Sequence, residues 1–277
     1  MTGAGGRVAV VTGAARGIGQ AIALRLAEAG HTLALGDLHP ADGTVTAIKD
    51  MKGAGEVGGG DVFAVECDLG SPGGVALLVR EVTSRLGRCD VLVNCAGLML
   101  FRPFGELNLD TWRRIQAVNV EAAFQLCAAF MPGMADRGFG RIVNVASNTV
   151  WKPPGAGFVP YVASKSAVVG FTRALAVELG PSGITVNAIA PGLTRSPGAE
   201  EGNTEEHFEE VRTAQAVRRC IEPRDLAGAV PAHLFRARGA PAPRPPWPCP
   251  LHGLGRGRHD QRPDAPDRRR PSHLVGQ

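Results

Sequence analysis

The sequence predicts an α/β domain over residues 1–230, built on one doubly wound parallel sheet with helices on both faces. Three observations carry this. Short all-apolar runs alternate with segments of helical periodicity along that span, the signature of strands buried on both sides by crossover helices. The chain has 277 residues, 44% hydrophobic and 20% charged, enough to bury a sizeable core. Near residue 230 the composition changes abruptly, so the body and the tail are separate regions.

Residues 7–12 form an apolar run that stops at glycine, the first buried strand. Residues 17–29 place Ile18, Ile22, Leu26 and Ala29 at helical spacing, and Gly30 ends that helix. Residues 32–37 are the second strand. The glycine-rich stretch 39–60 carries only a weak helix at 41–51. A third strand at 62–67, a helix at 75–86 and a fourth strand at 91–94 follow. Residues 110–134 read as one long helix, 141–147 as the fifth strand, 159–179 as a helix and 184–189 as the sixth strand. Such a sheet takes ligands at the C-terminal ends of its strands.

The formal net charge of +4 belongs to the tail. Residues 231–277 hold nine Arg and three Asp, with no Lys or Glu, so the body is slightly acidic and offers no footprint for nucleic acid. Ten of the 21 prolines also lie in the tail, which excludes a helix interior or central strand there. This Pro/Arg-rich stretch reads as a solvated, disordered tail or as the product of a frameshift in GC-rich coding sequence. No apolar run is long enough for a membrane span, and no secretory signal pattern opens the chain. Six scattered cysteines without a C-x-x-C pair argue against a zinc ribbon. They fit reduced thiols and a cytoplasmic location, and no metal site is expected.

The first strand runs into Thr12-Gly13-Ala14-Ala15-Arg16-Gly17-Ile18-Gly19, which opens the first helix. Glycines there permit a tight turn and let a pyrophosphate reach the helix N-terminus, where free N–H groups favour anions. The context is that of a Rossmann-type dinucleotide site, although the spacing is G-x-x-x-G-x-G. Asp37, 24 residues after Gly13, ends the second strand, with Leu38 next to it. A carboxylate there accepts both hydroxyls of an adenosine ribose and repels a 2′-phosphate; it would otherwise cap a turn. Arg16 pulls toward a 2′-phosphate. The direct reach of Asp37 favours NAD(H), with NADP(H) the alternative.

Tyr161-Val-Ala-Ser-Lys165 lies on a helix, so phenol and ammonium share a face. A nearby cation lowers a tyrosine pKa toward working pH, making a general acid for a carbonyl or a base for an alcohol. Tyr161 is the only tyrosine in the chain, which argues against an incidental surface pair. Ser147, ending the fifth strand, either bonds the same substrate oxygen or is a plain cap. Asn119, inside the long helix, either orders a water behind Lys165 or is satisfied locally.

Together these segments resemble the short-chain dehydrogenase/reductase family. The resemblance rests on Thr12–Gly19, Asp37, Cys67-Asp68-Leu69, Asn94-Cys95-Ala96-Gly97, Asn119-Val120, Ser147, Tyr161-x-x-x-Lys165 and Pro191-Gly192, in the family's order. It implies that Gly13, Gly17, Ile18 and Gly19 hold a pyrophosphate, that Asp37 selects NAD, and that Asp68 and Leu69 meet adenine. It implies that Asn94, Ala96 and Gly97 line the cofactor cleft and that Tyr161 is the acid/base. Lys165 would hold the nicotinamide ribose and tune Tyr161, Ser147 would orient the carbonyl, and Asn119 would complete a proton relay. Pro191 and Gly192 would start the loop over the nicotinamide, with Thr194 and Ser196 both open as the hydroxyl for its carboxamide. A homo-oligomer, a tetramer in the family, is also implied.

The sequence departs from the family pattern in three places. Cys95 stands where the family usually has a second Asn. The Ser147–Tyr161 interval is one residue longer than usual. Thr194-Arg195-Ser196 replaces the usual Ile-x-Thr. Segments 98–101, 148–158 and 193–211 should face a ketone or secondary alcohol. They carry Met99, Leu100, Phe101, Trp151, Phe158 and Phe208, a lean toward a neutral or aryl-bearing substrate. The stretches at 87–94 and 103–112 resemble 1-phenylethanol dehydrogenase-like members. The competing expectation is a 3-oxoacyl-carrier-protein reductase using NADPH. Six glutamates in 200–210 raise an amino ketone or amino alcohol as a further candidate, through Glu205; otherwise they are a solvated helix face.

Overall fold

The computed structural model describes residues 6–53, 60–214 and 219–228. The reading of 231–277 as an atypical tail lies outside the described residues. Six strands form one parallel sheet in the order β3-β2-β1-β4-β5-β6. They are β1 (Val8–Thr12), β2 (Thr32–Asp37), β3 (Val62–Glu66), β4 (Val91–Asn94), β5 (Gly140–Val145) and β6 (Ile184–Ile189). The chain winds outward from β1 through β2 to β3, then crosses back to β4. The C-terminal ends of β1 and β4 therefore flank the switch point where such sheets bind ligands.

Alternation along the strands divides the core in two. Val10, Ala34, Leu92 and Ile142 point to one face, against Val75, Leu78 and Val82 of α3 (Pro72–Leu86). The same cluster takes in Leu126 and Phe130 of α5 (Ala122–Asp136), and Leu179 of α6 (Val159–Leu179). Ala9, Val11, Leu33, Leu35, Val91 and Val93 point to the other face. There they meet Ile22 and Leu26 of α1 (Gly17–Glu28), Ile48 of α2 (Asp42–Gly53), and Ala227 of α9 (Pro223–Gly228). Burial of both faces is why the strands read as unbroken apolar runs.

The structure departs from the expected elements in a few places. α3 begins at Pro72 because Ser71 caps it, accepting the Gly74 N–H at 3.1 Å, with Pro at the first helical position. The stretch expected as one long helix is three pieces: α4 (Leu109–Gln116), a π-helical turn (Ala117–Glu121) and α5. Two short helices follow β6, α7 (Pro197–Glu200) and α8 (Glu205–Ala214). Thr204 heads α8, its hydroxyl accepting the His207 N–H.

At the opposite end of the sheet Asp90 is fully buried. It accepts the Val8 N–H at 3.0 Å and pairs with Arg88 at 2.7 Å and Arg137 at 3.4 Å. This ties the start of β1 to the start of β4. Among the described residues, no helix is long and apolar enough to cross a membrane.

Candidate active site

The glycine loop between β1 and α1 is closely packed. Gly13 has φ +66°, and a Cβ there would lie 2.8 Å from the Ala96 Cα, so the turns after β1 and β4 touch backbone to backbone. The Thr12 hydroxyl fixes this meeting by accepting the N–H groups of Cys95 and Ala96 at 3.0 and 3.1 Å. α1 starts without a side-chain cap and with no acidic residue in its first turn. Its leading N–H groups are left for an anion from outside the chain, which is the arrangement a dinucleotide pyrophosphate needs.

Asp37 stands at the end of β2 with each carboxylate oxygen anchored, one by the Ala15 N–H at 2.9 Å and one by the His39 N–H at 3.0 Å. It is half-buried beside exposed Leu38. Arg16 pairs with Glu201. Asp68 pairs with Arg114 at 2.8 and 3.0 Å and accepts the Gly70 N–H. The Arg114 guanidinium holds its carboxyl below the usual range. Leu69 is buried beneath it.

Asn94 faces inward. Its amide donates to Asn144 Oδ1 at 2.8 Å, and Asn144 in turn donates to Thr172 Oγ1 at 2.9 Å, a buried polar chain from β4 through β5 to α6. Asn94 therefore braces the helix that carries the reactive pair, while the Ala96 and Gly97 backbone lines the cleft. A Cβ on Gly97 would lie 3.4 Å from Lys165 Nζ.

Ser147, Tyr161 and Lys165 come together at the C-terminal end of β5. Ser147 lies close enough to the Tyr161 phenol to oppose the upward pull of burial on it. Ser147 is held by Thr149, whose N–H and hydroxyl reach it at 3.3 and 3.0 Å. The Lys165 ammonium is 4% exposed and donates to the Val145 carbonyl at 2.7 Å. Burial pulls its pKa down to about 8. The expectation that Lys165 lowers the Tyr161 pKa is not met in this structure. Burial raises the phenol, with Ser147 opposing, because Nζ is turned to Val145 and lies 5.8 Å from the ring centroid.

The Asn119 side chain sits in the π-helical turn, and its partners come from other elements rather than from its own turn. It accepts the Leu98 N–H at 2.7 Å and donates to the Leu98 carbonyl at 3.0 Å and to Ser164 at 2.9 Å. It thus ties the loop after Gly97 to the helix of Tyr161. After β6, the Pro191 carbonyl accepts the Asn148 N–H. Thr194 is buried and bonds the Gly192 carbonyl, while Ser196 lies against Gly17.

The loops expected to face a substrate carry apolar side chains. Phe101 meets Phe158 edge-on at 5.8 Å and packs on Gly157 in the lengthened 153–158 loop. Met99 approaches Gly202, and Trp151 is exposed. Phe208 faces inward and is buried under Arg195. That same arginine binds Glu205 at 2.6 and 3.0 Å. The Glu205 carboxylate already has its cation, which argues against an amine-bearing substrate.

Sequence reasoning missed three contributors. Cys95 is partly buried near Tyr161 and Lys165, and desolvation pushes its thiol up to about 12. Ser164 receives Asn119. Glu201 pairs with a residue 185 positions away. Only the departure at Cys95 was visible as a signal.

Residues 7–207 match the family pattern described as short chain dehydrogenase. The chain is 34% identical to an acetoacetyl-CoA reductase of Allochromatium vinosum, covering 81% of this chain and 89% of the relative. It is 32% identical to the 3-oxoacyl-(acyl-carrier-protein) reductase FabG of Vibrio cholerae, over 81% and 88%. Its fold matches a crystal structure of a blue fluorescent protein from a metagenomic library in complex with NADPH. The TM-score is 0.73 at 35% identity, over 83% of this chain and 93% of that one.

Proposed function

The chain belongs to the short-chain dehydrogenase/reductase family, and from that premise we propose that it interconverts a ketone and a secondary alcohol with Tyr161 as proton donor and acceptor. The observation that carries the reading is the gathering of Ser147, Tyr161 and Lys165 at the end of β5, with Lys165 Nζ 5.8 Å from the Tyr161 ring centroid and the glycine loop alongside. A bound nicotinamide dinucleotide supplies or accepts the hydride. Burial keeps the phenol protonated at neutral pH, so Tyr161 holds the proton that a carbonyl oxygen needs on reduction. Ser147 shares that oxygen and orients it. Lys165 would meet the nicotinamide ribose as an ammonium whose charge is lost above about pH 8. The clamp of Asn119 on Leu98 and Ser164 sets the distance between cleft and helix.

Gly13, Gly17, Ile18 and Gly19 hold the pyrophosphate in this reading, Asp37 and Leu38 the adenosine ribose, and Asp68 and Leu69 the adenine. The turn at Asn94, Ala96 and Gly97 lies along the cofactor. Pro191, Gly192, Thr194 and Ser196 form the wall over its carboxamide. The two anchored oxygens of Asp37 support NAD(H) over NADP(H). The resemblance to acetoacetyl-CoA and 3-oxoacyl reductases supports a 3-ketoacyl substrate. A simple aryl ketone is the second reading, favoured by the Phe101–Phe158 rim. Exposed Phe124 and Val177 give α5 and α6 an apolar outer surface that supports a homo-oligomer, and the free thiols support a reducing, cytoplasmic setting.

The test offers acetoacetyl thioester, aryl ketone or no substrate, each with NADH and NADPH. Oxidation of NADH dependent on the thioester is expected. Turnover of the aryl ketone alone selects the second reading, and no ketone-dependent turnover with either nucleotide overturns both.

A further inference from the structure

We propose that Glu201 is a cofactor-specificity residue of this site, acting by occupying Arg16 so that a 2′-phosphate finds no free cation. The proposal rests on the dinucleotide reading above. Two independent observations place Glu201 there. Both carboxylate oxygens receive the Arg16 guanidinium, at 2.5 and 3.4 Å. The segment that carries Glu201 also lies directly over the glycine loop: a Cβ on Gly17 would stand 3.4 Å from the Ser196 Cβ and 3.8 Å from the Pro197 Cδ.

Arg16 is the residue before the first helical glycine, near enough to Asp37 to feel its charge. Asp37 acts on it electrostatically from one side and Glu201 from the other, with His39 acting on Glu201. An adenosine 2′-hydroxyl entering this cluster needs only the Asp37 carboxylate. A 2′-phosphate brings about two further negative charges. It faces two carboxylates and one guanidinium that is already matched. Binding it requires Glu201 to give up Arg16. Asp37 rejects the phosphate directly; Glu201 rejects it by holding the Arg16 guanidinium. The ion pair is about half exposed on both sides, so the effect is modest and falls with salt.

The test is equilibrium binding by calorimetry at low ionic strength, independent of turnover, using NADH, NADPH, 5′-AMP and 2′,5′-ADP. The proteins are wild type, Glu201→Gln, Arg16→Ala and the double variant. Glu201→Gln is expected to tighten 2′,5′-ADP and NADPH about three- to fivefold and to leave 5′-AMP and NADH within about twofold. The gain should vanish in the Arg16→Ala background and shrink in high salt. Equal changes for both nucleotide classes, no change for either, or a gain that survives loss of Arg16 overturns the proposal. Wild type that prefers NADPH refutes the assignment of NAD(H), while the Glu201→Gln comparison still decides the role of Glu201. Wild type that binds none of the four probes overturns both.

Discussion

Replacing Lys165 by Met is expected to abolish turnover while making the protein more stable. Lys165 is 4% exposed, and burial lowers its pKa from 10.5 to about 8. At ~1.4 kcal/mol per pKa unit, holding this ammonium charged at pH 7 costs ~3 kcal/mol. Methionine fills a similar volume without charge. The hydrogen bond to Val145 is lost, which returns ~1 kcal/mol. The net gain at pH 7 is therefore ~2 kcal/mol, or roughly 4–8 °C in Tm for a domain of this size. The sign depends on pH in a defined way. Between about pH 8 and 10.5 the unfolded chain binds this proton and the folded chain does not, so wild-type stability rises with pH across that window. The advantage of the variant is then full below pH 8 and gone by about pH 10.5. Urea unfolding of both proteins at pH 7 and at pH 10 measures it. A variant less stable than wild type at pH 7, or a gap that does not change with pH, refutes the reasoning.

Tyr161→Phe should leave under a few per cent of the activity while NADH still binds, checked by turnover and by nucleotide titration; substantial activity removes Tyr161 as the proton donor. Asp37→Ser, with Arg16 kept, should shift the kcat/KM ratio of NADPH to NADH upward by roughly tenfold, because a charge facing the 2′ position is gone; an unchanged ratio argues that Asp37 is only a turn anchor. Asp90→Ala should destabilise by ~2–4 kcal/mol in urea unfolding, since it strands two arginines and the Val8 N–H; a loss below ~1 kcal/mol would make this buried pair incidental.

The central strands were legible because β1, β2 and β4 are short, mostly apolar runs closed by a glycine or polar residue, and parallel sheets bury both faces. Three of the six, β2, β4 and β6, have the expected limits. The break at 117–121 was not legible. A π turn changes the winding without interrupting the apolar spacing on either side, so Ile115 and Leu126 remain compatible with one helix. The spacing of Tyr161 and Lys165 predicted their shared face but not the direction of the phenol's shift, which depends on packing from β5 and the 95–97 turn. The acidic run at 200–210 was visible, yet its meaning was not. Arg195 lies before it and Arg16 lies at the far end of the chain, and only the fold brings them to Glu205 and Glu201. Asp90 was unreadable for the same reason: its partners at Val8 and Arg137 are each more than forty residues away.

The solitary tyrosine has an optical consequence. Phenol ionisation changes ultraviolet absorption, and in most proteins that signal is a blend of many side chains. Here Tyr161 is the only phenol in 277 residues, and it is partly buried near Ser147. At the long-wavelength phenolate band, where cysteine thiolates do not absorb, the alkaline difference spectrum of the folded chain is therefore the titration curve of one group, read in unlabelled protein. Tryptophan does not ionise in that range, so the three indoles add a constant background. Nucleotide or ketone added to the cuvette then reports, through the midpoint of that curve, how each changes the field at a single oxygen atom.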